Sequence, residues 1–164
     1  MASLSHYMET YKQQLERGEI QRAHRGLMDY FSALKSTLKE KHPDFSVSEI
    51  YPGYMDMTYF SFTSPTLKNL KLKVAIVFVY DKFRFEVWLA GQNRQLQGQY
   101  WQLLKKENYS QYSVPASIKG IDAIVEHVVV ENPCFDDLDG LTGQIEGGVL
   151  RFIEDMERFL SSHL

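Results

Sequence analysis

Arg84, Glu86 and Trp88 have the types and the spacing to build a polar site. They alternate with Phe85 and Val87, so in a strand all three point to one side of the sheet. A guanidinium, a carboxylate and an indole on one face suit a planar or sugar-like ligand. The ring supplies contact area and the charges supply orientation. Two more residues join them as candidates. Asp56 follows Pro52-Gly53, a turn signal. If that pair closes a two-residue hairpin, Tyr51 faces Tyr54 and Glu49 faces Asp56. Opposed carboxylates destabilise a sheet unless a metal, a shared proton or a cation offsets them. With Glu86 they would resemble a magnesium cluster. A shifted register or a solvated pair explains the same residues more simply, so the spacing commits to no metal. His127 lies between Val125 and Val129. A hydrogen-bonded, partly buried core histidine is the plainer reading, and an acid or base beside Glu86, Glu126 or Glu131 the functional one.

Many chemistries lack their residues. There is no GxSxG, Walker loop, GxGxxG or HExxH. Cys134 is the one cysteine, which excludes an internal disulfide and a multi-cysteine zinc site. Glu86-Val87-Trp88 lacks the lysine that a restriction-type nuclease places after Glu-x. The formal net charge of -3 gives no electrostatic case for nucleic acid as a general partner. No apolar run is long enough to span a bilayer. The start is polar and amphipathic with no signal-peptide core, which predicts a cytoplasmic protein. A homodimer is compatible with the composition, and no cofactor is implied. Two function classes remain. The first is a non-enzymatic module that binds a small ligand or a protein on the face of Arg84, Glu86 and Trp88. The alternative is a hydrolase or nuclease-like enzyme using Asp56, Glu86 and His127.

The elements that must position these residues centre on 72–90. Leu72, Val74, Ile76, Phe78 and Tyr80 alternate with Lys73, Ala75, Val77, Val79 and Asp81. Phe83, Phe85, Val87 and Leu89 alternate with Arg84, Glu86, Trp88 and Ala90. Both runs have the period of two that a strand requires. Asp81-Lys82 between them predicts an antiparallel hairpin with a two-residue turn, pairing Tyr80 with Phe83, Phe78 with Phe85 and Ile76 with Val87. One face is then wholly apolar and must be core. The other is mixed and is where a functional group belongs.

Upstream, Leu4, Tyr7, Met8, Tyr11 and Leu15 mark a helix ended by Gly18, and Ile20 to Leu38 mark a second that stops before Pro43. Together they predict a helical hairpin over 1–42. Strands flank Pro52-Gly53, and 64–70 reads as a loop. After the central hairpin, Asn93 caps a helix. Residues 107–120 form a long connection, 123–131 a strand, and Asp136 or Asp137 opens a long C-terminal helix. The whole predicts a single α+β domain over 1–164 with a mainly antiparallel sheet of about five strands.

The segments GYMDMTYFSF, RFEVWLAGQNRQLQGQYW and EHVVVENPCFDDLDGLTGQIE, together with YKQQLERGEIQRAHRGLMDYF, resemble a family of small uncharacterised bacterial proteins, a domain of unknown function. The resemblance covers nearly the whole chain and implies no activity. The order strand, FRFEVWLAG, helix, strand, long helix is also similar to a domain found beside restriction-type nucleases. That likeness implies a fold and transfers no function.

Overall fold

The computed structural model describes all 164 residues. The chain divides into two compact units, Met1–Leu34 and Lys35–Leu164. The first holds helix α1 (Leu4–Arg17) and most of helix α2 (Glu19–Lys41). Ser3 caps α1 by accepting from the His6 N–H, and Gly18 ends it in the left-handed conformation. The two expected helices are present, joined through that single glycine, but they do not pack along one another as a hairpin. The apolar stripe of α1 is not closed against α2: no residue of α1 is buried.

The second unit is built on one antiparallel sheet, in the order β1 (Ser46–Val47), β2 (Met57–Thr63), β3 (Leu72–Val79), β4 (Arg84–Gly91), β5 (Ala123–Val130). Strand follows strand in sequence order, so the fold class is the expected α+β. The central register is also as expected: Ile76 pairs with Val87, Phe78 with Phe85, Val77 with Glu86 and Ala75 with Trp88. The turn differs. The strands stop at Val79 and Arg84, and Tyr80 to Phe83 form a four-residue turn closed by Phe83 at φ +52°. Tyr80 donates its N–H to the Asp56 carbonyl at 3.1 Å instead of continuing the hairpin. The loop grew by one residue on each side, so the register survived.

One sheet face is core. Phe60, Phe62, Leu72, Val74, Ile76, Phe78, Phe85, Val87, Leu89 and Val125 are fully buried. Burial of each such side chain contributes about 1.5–3 kcal/mol. Helix α5 (Leu138–His163) lies on this face, opened by Asp137, whose carboxylate accepts from the Gly140 N–H. It buries Leu141, Ile145, Val149, Phe152, Ile153, Met156 and Leu160. Residues 64–70 are not plain loop: Ser64 caps a one-turn helix, α3 (Pro65–Asn69), which seats Leu67 in the core. Asn93 caps α4 (Arg94–Lys106) by accepting from the Leu96 N–H at 2.9 Å, and α4 packs on β4 and β5.

The paired glycines of α5 have opposite roles. A Cβ on Gly148 would stand 2.7 Å from Val129 Cγ1, whereas one on Gly147 would meet nothing within 4 Å. The helix needs glycine at 148 to approach the sheet closely. Gly147→Ala is expected to stabilise by up to about 1 kcal/mol through helix propensity. Gly148→Ala is expected to destabilise by about 1–2 kcal/mol, overpacking outweighing the same gain. Val129→Ala in the same chain should lessen that loss. Urea midpoints of the four proteins check this, and equal effects at 147 and 148 would remove the close approach from the account.

Candidate functional site

The mixed face of the sheet carries the chemistry. Arg84, Glu86 and Trp88 stand on it in line along β4, and Glu86 is the hub. Its Oε2 accepts from Arg84 Nε at 2.9 Å, and its Oε1 accepts from Trp88 Nε1 at 2.8 Å. Arg84 also donates to Glu131 at 3.2 Å. The bond to Glu86, chiefly, raises the Arg84 pKa further; burial opposes it, and the bond to Glu131 adds to the rise. Glu86 is 6% exposed. A carboxylate this buried needs such partners to replace the hydration it has lost. The result is a clamp: both the guanidinium and the indole are fixed by one carboxylate two residues away on the same strand.

Two clefts open beside this clamp. The first, of about 480 Å³, spreads over β2, β3 and β4. Ser61, Ala75 and Trp88 form one cross-strand row, and Lys73 pairs with Ala90 in the next. The small side chains make a low floor, with Trp88 standing on it. Tyr59 and Tyr51 form the opposite wall, their rings 5.1 Å apart. The end of β4 and the first turn of α4, Gly91 to Gln97, close the far end. Gly91 is needed there, since a Cβ would come 2.7 Å from the Gln97 N–H nitrogen. Gln97, itself 3% exposed, donates to the Ile121 carbonyl at 2.6 Å and accepts from Arg94 at 2.9 Å. Arg94 is paired with Asp122 at 3.3 Å, and Glu49 with Lys35 at 3.4 Å. Lys73 lines the cleft, is exposed and has no carboxylate within 4.0 Å. The cleft therefore presents aromatic walls, one uncommitted cation and the positive end of a helix.

The second cleft, of about 460 Å³, lies along β5 and is lined by Arg84, Glu86, Tyr112, Ser113, Glu126 and His127. Ser113 bridges to Glu126 and so covers part of the sheet edge. Burial, then the charge of Glu86, push the Glu126 carboxyl above the usual range, with Arg84 acting the other way. The remaining groups are committed to structure. His127 pairs with Val87, so its side chain belongs to the helix-covered face. Its ring packs against Tyr112 at 4.6 Å and parallel to Phe152 at 6.4 Å, and burial lowers its pKa. Tyr112 donates its hydroxyl to Asp155.

Asp56 is in neither cleft. The segment Pro52 to Asp56 is a wide turn rather than a two-residue one, and Tyr51 pairs with Tyr59, not Tyr54. Asp56 Oδ1 accepts from the Tyr54 and Met57 N–H groups, both at 2.8 Å, and these bonds lower its pKa. Glu49 does not face it. Asp56 is thus a turn cap apart from the other two, whereas Glu86 and His127 both line the second cleft, Glu86 from the mixed face and His127 with its ring packed against Tyr112 and Phe152. Arg84, Glu86 and Trp88 stand together. Two aromatics of α4 are pins: Trp101 donates to the Pro115 carbonyl at 2.8 Å and Tyr100 to the Leu70 carbonyl at 2.7 Å. Tyr51, Tyr59, Ser61 and Lys73 are the cleft residues that the sequence did not single out. Their signal was the alternation of β2 and β3, usable only once β2 is known to pair with β3 through Ser61 and Ala75.

The fold and site define an α+β protein with an aromatic cleft on the open face of an antiparallel sheet. Residues 4–160 match the family described as Domain of unknown function (DUF7000), and the chain belongs to that family. No curated protein and no solved structure matches the chain. No helix is long and apolar enough to cross a membrane.

Proposed function

We propose that this chain is a cytoplasmic binding module whose mixed sheet face takes a small, flat, negatively charged ligand in the Trp88 cleft. The observation that carries the reading is Trp88 itself. Its indole is held by Glu86 at 2.8 Å, half-buried, above a floor of small residues and beside an unpaired Lys73. A ring fixed in advance loses little freedom when a ligand stacks on it. A volume of about 480 Å³ falls in the range of small-molecule sites, about 300–1,000 Å³, and favours a small ligand over a protein segment. The hydrolytic alternative loses Asp56, which caps a turn outside both clefts, and is left with Glu86 and His127 on the second cleft, each already engaged in packing or hydrogen bonding.

The test is a fluorescence titration in a Trp101→Phe background, where Trp88 is the one remaining tryptophan. The probes are aromatic carboxylates and nucleoside monophosphates. A saturable change in Trp88 emission is expected for part of the panel. Trp88→Ala, followed by calorimetry, should weaken that binding by about 1–2 kcal/mol, five- to thirtyfold, with the fold intact. Lys73→Ala should weaken anionic probes and spare neutral ones of the same shape. Unfolding on Trp88→Ala would reassign the ring to the core, and binding indifferent to both substitutions would overturn the proposal.

A further inference from the structure

Helix α1 carries an apolar stripe with no cover. Leu4 is 74% exposed, Tyr7 59%, Met8 54%, Tyr11 45% and Leu15 37%. The helix is nevertheless well formed, capped at both ends, with its polar residues gathered on the opposite side. An amphipathic helix of this kind is built to bury its stripe against something. Taking about 150–250 Å² for a large side chain, these exposures leave roughly 500 Å² of apolar surface. That is near the upper end of the largest patch on an ordinary monomer, about 300–600 Å².

The stripe is complementary to itself. Leu4, Met8, Tyr11 and Leu15 are separated by steps of four, three and four, a pattern that reads the same in both directions. Laid antiparallel on a second α1, Leu4 meets Leu15 and Met8 meets Tyr11, in two copies of each layer about a two-fold axis. The flanking positions then set Lys12 beside Ser5 and Tyr7 beside Gln14, with no like charges opposed. A mainly apolar groove between Met8, Tyr11, Lys12, Leu15 and Glu16 supplies a hole for the partner's knob. Burying two such stripes removes roughly 1,000 Å² from water, the area at which specific interfaces begin. We propose that a second copy of this chain covers the stripe, giving a two-fold dimer through antiparallel α1 helices. The Trp88 cleft is lined by none of these residues, so the two proposals stand or fall separately.

Sedimentation equilibrium of the full chain, from low to high micromolar concentration, tests this. The wild type should show a reversible monomer–dimer equilibrium. Met8→Glu and Tyr11→Lys should each raise the dissociation constant at least about tenfold, with unchanged far-ultraviolet circular dichroism, since both side chains are exposed. Mixing the two variants should restore dimer. In the antiparallel register one layer then joins the introduced carboxylate to the introduced ammonium, and the other keeps its native pair. A wild type monomeric throughout, a dimer that neither variant weakens, or a mixture that stays monomeric would each overturn the proposal.

Discussion

Phe78→Ala is expected to lower the stability of the chain by about 3–5 kcal/mol, with the urea midpoint falling and the slope unchanged. Phe78 is fully buried near the end of β3 and packs against four rings: Phe85 at 5.1 Å, Phe83 at 5.0 Å, Tyr80 at 5.2 Å and Phe135 at 6.3 Å. Removing it takes away the transfer free energy of a whole ring. It also leaves a cavity that neighbours held in strands cannot close. Phe83 is the control. It belongs to the same apolar alternation in the sequence, but it lies in the turn, 61% exposed. Phe83→Ala should cost no more than about 1 kcal/mol. Similar losses at the two positions would mean that the core does not centre on β3 and β4.

Glu86→Ala carries the second large effect, about 2–4 kcal/mol. Loss of one partner of a buried charge pair commonly costs about 3–5 kcal/mol, because the other charge stays behind without compensation. Here the Arg84 side chain is 24% exposed, so water and Glu131 recover part of the loss. The Trp88 N–H loses its acceptor as well. A double-mutant cycle with Arg84→Ala should return a coupling of at least about 1 kcal/mol, since the residues share a bond. Because Glu86 also sets the orientation of the indole, Glu86→Gln should weaken ligand binding more than it weakens the fold. An amide accepts from one of the two donors but turns its own N–H₂ toward the other. Additive effects of the Arg84 and Glu86 substitutions would remove the clamp from the account.

How far these features were legible in the sequence differs from element to element. The central hairpin was legible because both strands carry a long apolar alternation, and a slip of one residue would have put Phe78 and Phe85 in water. The error in the turn was harmless, being symmetric about its centre. The first hairpin was not legible for the opposite reason. Ser46 to Tyr51 has no clean alternation, and Pro52-Gly53 is only part of a wider turn that also uses Met55 at φ +65°. The misplacement of Asp56 follows from that turn alone. His127 was assigned to a strand correctly, but its face depends on irregularities in the β4–β5 register, between Phe85 and Glu86 and between Leu89 and Ala90. A bulge reverses the side-chain alternation beyond it and leaves no mark in hydrophobic periodicity. Lys73 was visible on the mixed face, yet nothing local distinguished it from any surface lysine. Its isolation from carboxylates is a tertiary property. The exposure of the α1 stripe is likewise unreadable, because the same periodicity describes a buried helix.

The claim at the centre of this account is that the Trp88 cleft binds a ligand, and the indole N–H of Trp88 reports on it most directly. Heteronuclear NMR spectra of the wild type contain one indole signal from Trp88 and one from Trp101. On titration with a probe that alters Trp88 fluorescence, the Trp88 indole signal should move to saturation. The amides of Tyr59, Ser61, Lys73 and Asn93 should move with it, and the Trp101 indole, hydrogen-bonded to the Pro115 carbonyl at 2.8 Å, should stay in place. Shifts that gather elsewhere on the chain while the Trp88 indole does not move would contradict the assignment of this cleft as the binding site.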